Sequence, residues 1–236
     1  MASAVILAGG LGRRLQTAVQ DVPKPMAPIN GRPFLEYLLD YWIGQNINHF
    51  VLSVGYKSEI IERHFGNDYR QTKIDYAVEE QPLGTGGGLL CALKYLNGAG
   101  SFLIMNGDTF FKVDLMSMRL YHQAKQAAVT IALRNVEANS RYASVECDGD
   151  GKITAFDNRA RTLSPELING GVYLAKKSAF VDYASDANEP VSLEELLYPR
   201  MLAAGTRMYG FPSSGKFIDI GIPEDYRRAV DVIPRA

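Results

Sequence analysis

The side chains best suited to chemistry lie in the first 25 residues of the chain, directly after a short apolar run. Two arginines, Arg13 and Arg14, stand together, and Lys24 lies between two prolines that stiffen the backbone around it. Three glycines precede them and leave backbone amides open to a ligand: Gly9, Gly10 and Gly12. Bare amides and fixed cations together bind a chain of phosphates. This segment therefore predicts a nucleoside-triphosphate site.

The aliphatic residues at positions 4–7 predict a buried strand, so the glycines follow the C-terminal end of that strand. A glycine-rich turn can also be a plain connection from a strand to a helix, and the glycines alone leave that alternative open. Two familiar phosphate loops are excluded. The glycines are not followed by Gly-Lys-Ser/Thr, and Leu15 occupies the third glycine position of the dinucleotide fingerprint.

Strands and helices alternate through the first half of the chain. Predicted strands cover residues 49–54, 73–79 and 101–106, and predicted helices cover residues 33–44, 57–65 and 89–96. This alternation indicates parallel strands with helices on both faces of the sheet. Ligands of such sheets bind beyond the C-terminal strand ends, where we expect the loops at 9–14, 80–86 and 106–108.

The second half of the chain has a different pattern, with more strands in succession. We predict a helix over 115–125, a strand over 128–136, a hairpin that turns at 148–151, a strand over 167–175, helical segments at 177–183 and 192–204, and strands at 207–212 and 216–220. A closing helix is predicted to begin near Pro223 and to pack through Tyr226, Ala229 and Val230. The whole chain is expected to form one domain with a mixed, mostly parallel sheet.

Composition narrows the class of protein. Of the 236 residues, 47% are hydrophobic, and the formal net charge is −1, so no basic excess exists to bind a nucleic-acid backbone. No apolar segment approaches membrane-spanning length, and we expect no membrane partner. Cys91 and Cys147 lack metal-ligand spacing, which predicts reduced thiols in a cytoplasmic protein. The three histidines have no spacing typical of a catalytic triad and are expected at surface or packing positions.

Two aspartates stand out as candidate metal ligands. Asp108 follows an apolar strand, where the alternative is an ordinary turn residue. Asp219 lies inside a short apolar run, where burial of an unpaired charge would be costly. Mg²⁺ prefers hard oxygen ligands and commonly takes one or two carboxylates together with substrate phosphates. Asp114 and Asp225 have a simpler interpretation as acids at helix starts.

Several motifs occur in order along most of the chain: LAGGLGRRL then PKPM, EQPLGTGGGL (80–89), NGDTFF (106–111), LINGGVY (167–173) and FIDIGIPEDY (217–226). This series resembles the sugar-1-phosphate nucleotidyltransferases. The resemblance implies a single Rossmann-like α/β domain over residues 1–236, with a mixed, mostly parallel sheet flanked by helices. The nucleotide-binding half would cover about residues 1–112, and residues 113–236 would supply a small sugar-binding lobe.

The resemblance implies that a nucleoside triphosphate and a sugar 1-phosphate react to give a nucleotide sugar and pyrophosphate. Because the attacking phosphate oxygen is already ionised, catalysis reduces to positioning and charge neutralisation. Arg14 would stabilise charge on the pyrophosphate, and Lys24 would neutralise the α-phosphate and the sugar phosphate. Asp108 would be the third catalytic residue, as a metal ligand. Mg²⁺ is the implied cofactor, with Asp108 and Asp219 as its ligands.

The remaining site residues are also carried over from the resemblance. The implied nucleotide contacts are Leu7, Ala8, Gly9, Gly10, Gly12, Arg13, Arg14, Gln81, Gly84, Thr85, Gly86, Asn106 and Gly107. The implied sugar-phosphate contacts are Lys24, Tyr142, Arg159, Asn169 and Gly170. The chain departs from the family pattern where Arg13 replaces a threonine, Ala143 a glycine and Arg159 a lysine. The glycines at 170–171 could instead mark a β-bulge.

Within the family, the PKPMAPI, NGDTFF and IDIGIPEDY segments most resemble the D-glycero-D-manno-heptose 1-phosphate guanylyltransferases. That likeness implies GTP as the donor and GDP-heptose for capsule or lipopolysaccharide synthesis as the product. A mannose-1-phosphate guanylyltransferase and a glucose-1-phosphate nucleotidyltransferase are the alternatives within the family. A non-catalytic nucleotide-sugar sensor and a nicotinamide-dependent oxidoreductase are the alternatives outside it. Self-association is left open.

Overall fold

The computed structural model describes residues 2–12, 14–15, 19–98, 100–136, 144–157 and 166–233. Its strands are β1 (Ser3–Leu7), β2 (Pro28–Ile29), β3 (Arg32–Pro33), β4 (His49–Val54), β5 (Asp68–Tyr69), β6 (Thr72–Val78), β7 (Ser101–Asn106), β8 (Thr109–Phe111), β9 (Val129–Val136), β10 (Ser144–Cys147), β11 (Ile153–Asp157), β12 (Glu166–Lys176), β13 (Met208–Pro212) and β14 (Phe217–Asp219). Its α-helices are α1 (Phe34–Ile43), α2 (Ser58–Phe65), α3 (Gly84–Ala92), α4 (Leu115–Ala124), α5 (Tyr198–Ala203) and α6 (Pro223–Val232).

One sheet of ten strands organises both halves of the chain. Its main path runs β11-β10-β12-β7-β1-β4-β6-β5, and β9 joins β12 while β13 joins β9. The centre is parallel, since β1 pairs in parallel with both β7 and β4, and β4 pairs in parallel with β6. The second half adds antiparallel pairs through β12, which bonds to both β7 and β9. The predicted mixed α/β sheet is therefore confirmed.

The two faces of the sheet carry separate apolar cores, as expected for helices on both sides. Alternate residues of β1 divide between them because successive strand side chains point to opposite faces. Ala4 and Ile6 pack in a cluster that includes Trp42 of α1. Val5 packs in the other cluster with Leu89 of α3. Each face thus holds its helices through its own buried side chains.

Most predicted elements agree with the structure, and two of the strands, β4 and β7, agree to the residue. The glycine-rich segment is the main correction, because α3 begins at Gly84 rather than at Leu89. Glycine is a poor helix former, so the pattern favoured a loop. The turn is helical because it packs closely on a neighbouring segment: a Cβ on Gly86 would lie 2.9 Å from the Val191 carbonyl oxygen. The backbone NH of Gly86 donates to that same oxygen at 2.7 Å.

The two C-terminal helical segments lie where they were predicted, but they are not regular α-helices throughout. Lys177–Asn188 forms a 3₁₀-helix, and a π-helical turn at Leu193–Leu197 leads into α5. Pro199 at the start of α5 has no backbone NH to donate, which removes one α-helical hydrogen bond there. Val230 was predicted to pack but is 39% exposed, whereas Ala229 is fully buried.

In the part of the chain that the structure describes, no helix is both long and apolar enough to cross a bilayer.

Candidate active site

A pocket of about 450 Å³ lies at the C-terminal ends of the central parallel strands. That volume is within the usual range for a small-molecule site. The predicted residues that line it come from all three expected loops, from the end of β1 and from the lysine segment: Leu7, Ala8, Gly9, Gly10, Gly12, Arg14, Lys24, Gly84, Thr85, Asn106, Gly107 and Asp108. The three loops therefore meet as predicted, although their contacts with ligands remain predictions.

Glycine is required at two positions of the pocket wall. Gly12 has φ +59°, which favours glycine, and a Cβ there would lie 3.1 Å from the Cβ of Lys24. A Cβ on Gly107 would lie 2.8 Å from the carbonyl oxygen of Leu7, whose strand neighbours β7. These two approaches bring the first loop against Lys24 and against the end of β7.

The proline-flanked lysine is held as its sequence predicts. Lys24–Met26 forms a single 3₁₀ turn, closed by the NH of Met26 donating to the Pro23 carbonyl at 2.8 Å. The Lys24 side chain is 11% exposed, and its ammonium forms an ion pair with Asp108. The backbone and the ion pair together fix a positive charge at the pocket wall, rather than leaving it free in solvent.

The two candidate metal ligands come together through a small antiparallel pair of strands. Residues of β8 and β14 pair so that Asp219 lies opposite Thr109, and the NH of Ile220 donates to the Asp108 carbonyl at 3.0 Å. A Cβ on Gly221, which lines the pocket, would lie 2.8 Å from Asp219 Oδ1 and 3.3 Å from Lys24 Nζ. Both carboxylates therefore lie beside the Lys24 ammonium.

This donor set fits Mg²⁺, which accepts one or two carboxylates and completes its shell with water and substrate phosphates. Asp108 and Asp219 would supply the carboxylate oxygens. Among the described residues, no group of three or more His, Cys, Asp or Glu side chains could form a closed metal cage. The arrangement thus suits an ion shared with a substrate.

The predicted base-reading loop uses much of its hydrogen-bonding capacity internally. Thr85 Oγ1 donates to Glu194 Oε2 at 2.8 Å and accepts from the NH of Leu193 at 2.8 Å. The NH of Gly86 is bonded to Val191, as described above. Gln81 is exposed and does not line the pocket. Base contacts by these residues therefore remain predictions, and Thr85 has already used its hydroxyl proton.

On the sugar side, the predicted loop lies in an irregular part of β12. The pairing of β12 with β9 shifts register between Asn169 and Tyr173, an irregularity of the kind that a bulge at the glycines predicts. Asn169 and Gly170 do not line the described pocket, and their sugar contacts remain predictions. Arg13, Tyr142 and Arg159 lie outside the described residues.

Residues that the sequence analysis did not select also line the pocket: Leu11, Pro25, Ser53, Glu79, Pro82 and Gly221. Glu79 is the one ionisable side chain among these six. Its Oε1 accepts from Ser53 Oγ at 2.9 Å, and its Oε2 accepts from the NH of Leu83 at 3.0 Å. Its position directly after β6 could have revealed it, because the ligand edge of a parallel sheet includes every C-terminal strand end.

The histidines lie away from the pocket. His49 is 1% exposed and lies within hydrogen-bond distance of Ser3 Oγ (3.1 Å) and Asp75 Oδ2 (2.9 Å), which resembles a triad in composition. Ser3 and His49 are the first residues of β1 and β4, so this hydrogen-bonded group lies at the strand ends opposite the pocket. His122 is buried between Ser101 and Thr130, and burial lowers its pKa to about 4, with a further contribution from the Lys176 charge.

Comparison with known proteins shows relatives that are similar over nearly the whole chain. The D-glycero-alpha-D-manno-heptose 1-phosphate guanylyltransferase from Aneurinibacillus thermoaerophilus is 42% identical to the chain, over 96% of each protein. The enzyme of the same name from Campylobacter jejuni is 39% identical, over 94% of this chain and 96% of that protein. The crystal structure of HddC from Yersinia pseudotuberculosis complexed with GMP-PN superposes with a TM-score of 0.83. It has 34% identity and covers 98% of this chain and 99% of that one.

The family comparison covers nearly the whole chain. Residues 3–235 match the family described as nucleotidyl transferase. That span includes the glycine-rich loop, Lys24, Asp108 and Asp219. The protein therefore belongs to the nucleotidyl transferase family.

Proposed function

We propose that this protein transfers GMP from GTP to D-glycero-α-D-manno-heptose 1-phosphate, forming GDP-heptose and releasing pyrophosphate. The observation that carries the proposal is the convergence of Lys24, Asp108 and Asp219 beside the glycine-rich loop. That arrangement suits two phosphate-bearing reactants. The similarity to the two heptose 1-phosphate guanylyltransferases supports this choice of donor and acceptor.

Charge neutralisation is the main task of the site, because both reactants are anions. The open amides of the glycine-rich loop and the exposed Arg14 would bind the triphosphate. Lys24, held by Asp108, would lie between the α-phosphate and the incoming sugar phosphate. The attacking oxygen is already ionised, so no general base is needed.

Mg²⁺ is part of this proposal, with Asp108 and Asp219 as its ligands. When bound, it would supply positive charge that draws the two phosphate groups together. Asp108 then has two roles that follow from one position: it fixes the Lys24 ammonium, and it offers an oxygen to the ion.

Glu79 supports guanine as the base. A carboxylate only accepts hydrogen bonds, and each oxygen of Glu79 has capacity beyond the single bond from Ser53 or Leu83. Among the common bases, guanine alone presents a ring NH and an exocyclic amino group side by side as donors. A carboxylate in the wall of a nucleotide pocket matches that donor pair, whereas the other bases present an acceptor next to their donor.

The test is pyrophosphate release in the presence of Mg²⁺, with ATP, GTP, CTP, UTP and dTTP each paired with heptose, mannose and glucose 1-phosphates. We expect release with GTP and heptose 1-phosphate above every other pair. Preference for mannose 1-phosphate with GTP would retain the guanylyl transfer and replace the acceptor. No release with any pair would overturn the enzymatic proposal in favour of a nucleotide-sugar sensor.

The proposed product would supply capsule or lipopolysaccharide precursors. We place the reaction in the cytoplasm, where nucleoside triphosphates are available.

A further inference from the structure

A chain of side-chain hydrogen bonds runs between the two predicted substrate loops. On the nucleotide side, Thr85 Oγ1 donates to Glu194 Oε2 at 2.8 Å. On the sugar side, Tyr173 Oη donates to Glu194 Oε1 at 2.8 Å, and Asn169 Nδ2 donates to Tyr173 Oη at 2.9 Å. Asn169 Oδ1 then accepts from the NH of Gly171 at 2.9 Å. Glu194 is the point where both arms of the chain meet.

The chemistry of Glu194 sets the direction of every bond in this chain. An ionised carboxylate accepts only, so the hydroxyls of Thr85 and Tyr173 must both donate to it. The Tyr173 oxygen is then left as an acceptor for Asn169, which orients that amide with its oxygen toward Gly171. One residue outside both loops therefore determines the orientation of three side chains.

The middle of this series of hydrogen bonds, at Tyr173, is shielded from water, whereas Thr85, Asn169 and Glu194 are half-buried. Tyr173 is fully buried on β12, and burial together with the Glu194 charge raises its pKa well above the ordinary value, so it remains a neutral donor. Loss of one partner would leave a buried polar group unsatisfied, which costs more than the bond itself contributes. The two bonds of Tyr173 should consequently hold Glu194 and Asn169 firmly.

Both ends of this hydrogen-bond chain reach the pocket wall. Thr85 lines the pocket directly. At the other end, a Cβ on Gly171 would lie 3.1 Å from Nδ2 of Asn106, which also lines the pocket. The hydrogen-bond chain thus runs from Thr85 in the pocket wall, through Glu194, to the loop that packs on Asn106, another residue of that wall.

We propose that Glu194 is a positioning residue that holds the nucleotide loop at Thr85 and the sugar loop at Asn169 in a fixed relation to each other. It acts on both substrates without contacting either. The kinetic part of this inference rests on the proposed function, because it takes residues 169–171 as the sugar loop.

A test without substrates uses amide hydrogen exchange on the full chain. In Tyr173→Phe, which removes only the hydroxyl, we expect faster exchange at the distant Leu193 and Gly86 amides, by about three- to tenfold. In Thr85→Val, we expect the same acceleration at the Gly171 amide. Exchange at wild-type rates at the distant loop in both variants would overturn the proposal.

The kinetic test measures KM for each substrate separately. We expect Tyr173→Phe to raise KM for GTP, and Thr85→Val to raise KM for the sugar 1-phosphate, each by about three- to tenfold. Glu194→Gln, which replaces one acceptor by a donor, should raise both. If each variant changed KM only for the substrate on its own side, the two loops would be independent and the proposal would fail.

Tyr198→Phe is the matched control. Tyr198 Oη is buried without a hydrogen-bond partner among the described residues, and its ring centre lies 5.3 Å from that of Tyr173. Removal of the Tyr198 hydroxyl should leave the amide exchange rates and both KM values unchanged. Changes as large as those in Tyr173→Phe would show that the effect comes from general packing rather than from the hydrogen bonds. If the wild-type protein released no pyrophosphate, the proposed function would fail while hydrogen exchange would still decide the positioning role.

Discussion

The proposed nucleotide side and the proposed sugar side of this molecule are built in different ways. The nucleotide side consists of strand-and-loop units whose strands, β7, β1, β4 and β6, are neighbours in one parallel sheet. On the sugar side, the predicted loop lies in the irregular part of β12, and its side chains reach partners more than twenty residues away in sequence. The first arrangement takes its residues from short motifs at the ends of neighbouring strands, and contacts such as the Lys24–Asp108 ion pair then join them. The second is joined by side-chain hydrogen bonds across an irregular strand.

This difference predicts where substitutions act. Changes at the ends of the parallel strands should affect chemistry and base choice while the fold persists. Changes where the two sides meet should affect stability or the relation between substrates.

The largest effect is expected for Asp108→Asn. The variant weakens the hold on Lys24 and removes a charged oxygen from the proposed Mg²⁺ site, so we expect kcat/KM to fall about 10²- to 10³-fold with little change in thermal stability. Pyrophosphate release and a melting curve measure the two quantities. Asp114→Asn is the matched control, because Asp114 accepts from the NH of Ser117 at 2.6 Å as the N-cap of α4. It should change helix stability slightly and activity not at all, and retained activity in Asp108→Asn would refute the metal-ligand and clamp roles.

The next effect is expected for Gly86→Ala, at the junction of the two sides. The added Cβ would lie 2.9 Å from the Val191 carbonyl oxygen, and the resulting strain should lower the free energy of unfolding by about 2–3 kcal/mol. Denaturant unfolding measures it. Gly100→Ala is the control, since a Cβ there has no described residue within 4 Å. Equal stability of the two variants would mean that the start of α3 does not depend on this close packing.

Base choice is expected to depend on Glu79. Glu79→Gln replaces one acceptor by a donor, which should lower kcat/KM for GTP about ten- to a hundredfold. It should also narrow the preference for GTP over ITP, which lacks the exocyclic amino group. The neighbouring Glu80 is exposed and does not line the pocket, so Glu80→Gln should behave as wild type. An unchanged ratio of GTP to ITP activity in Glu79→Gln would exclude Glu79 as the base reader.

The smallest effect concerns pH and His122, which lies outside the site. Because burial lowers its folded pKa to about 4, the unfolded state binds more protons between that value and the ordinary 6.5. Stability contributed by the neutral ring is complete above pH 6.5 and is lost as the pH falls toward 4. We expect a loss of about 1–2 kcal/mol between about pH 7 and pH 5. Urea unfolding of wild type and His122→Gln measures it, and a slope unchanged in the variant would assign the pH dependence to other groups.

The order of elements and much of the nucleotide side followed from the sequence. Apolar runs predicted β4 and β7 to the residue, and the prolines around Lys24 predicted a stiff turn, because both depend on nearby residues. The same rules placed three loops at one edge of a parallel sheet. Local pattern failed at Gly84–Ala92, since its helical first turn is held by Val191, about a hundred residues later.

By itself, the amino-acid sequence determined the sheet class, the candidate phosphate-binding residues and the family, because these depend on periodicity and on short motifs. Only the tertiary structure decided that Glu79 faces the pocket, that Asp108 and Asp219 lie beside Lys24, and that Glu194 joins Thr85 to Tyr173. The reason is physical: these relations arise from strand register and side-chain hydrogen bonds between distant segments, and no local pattern encodes which distant partner a polar group will find.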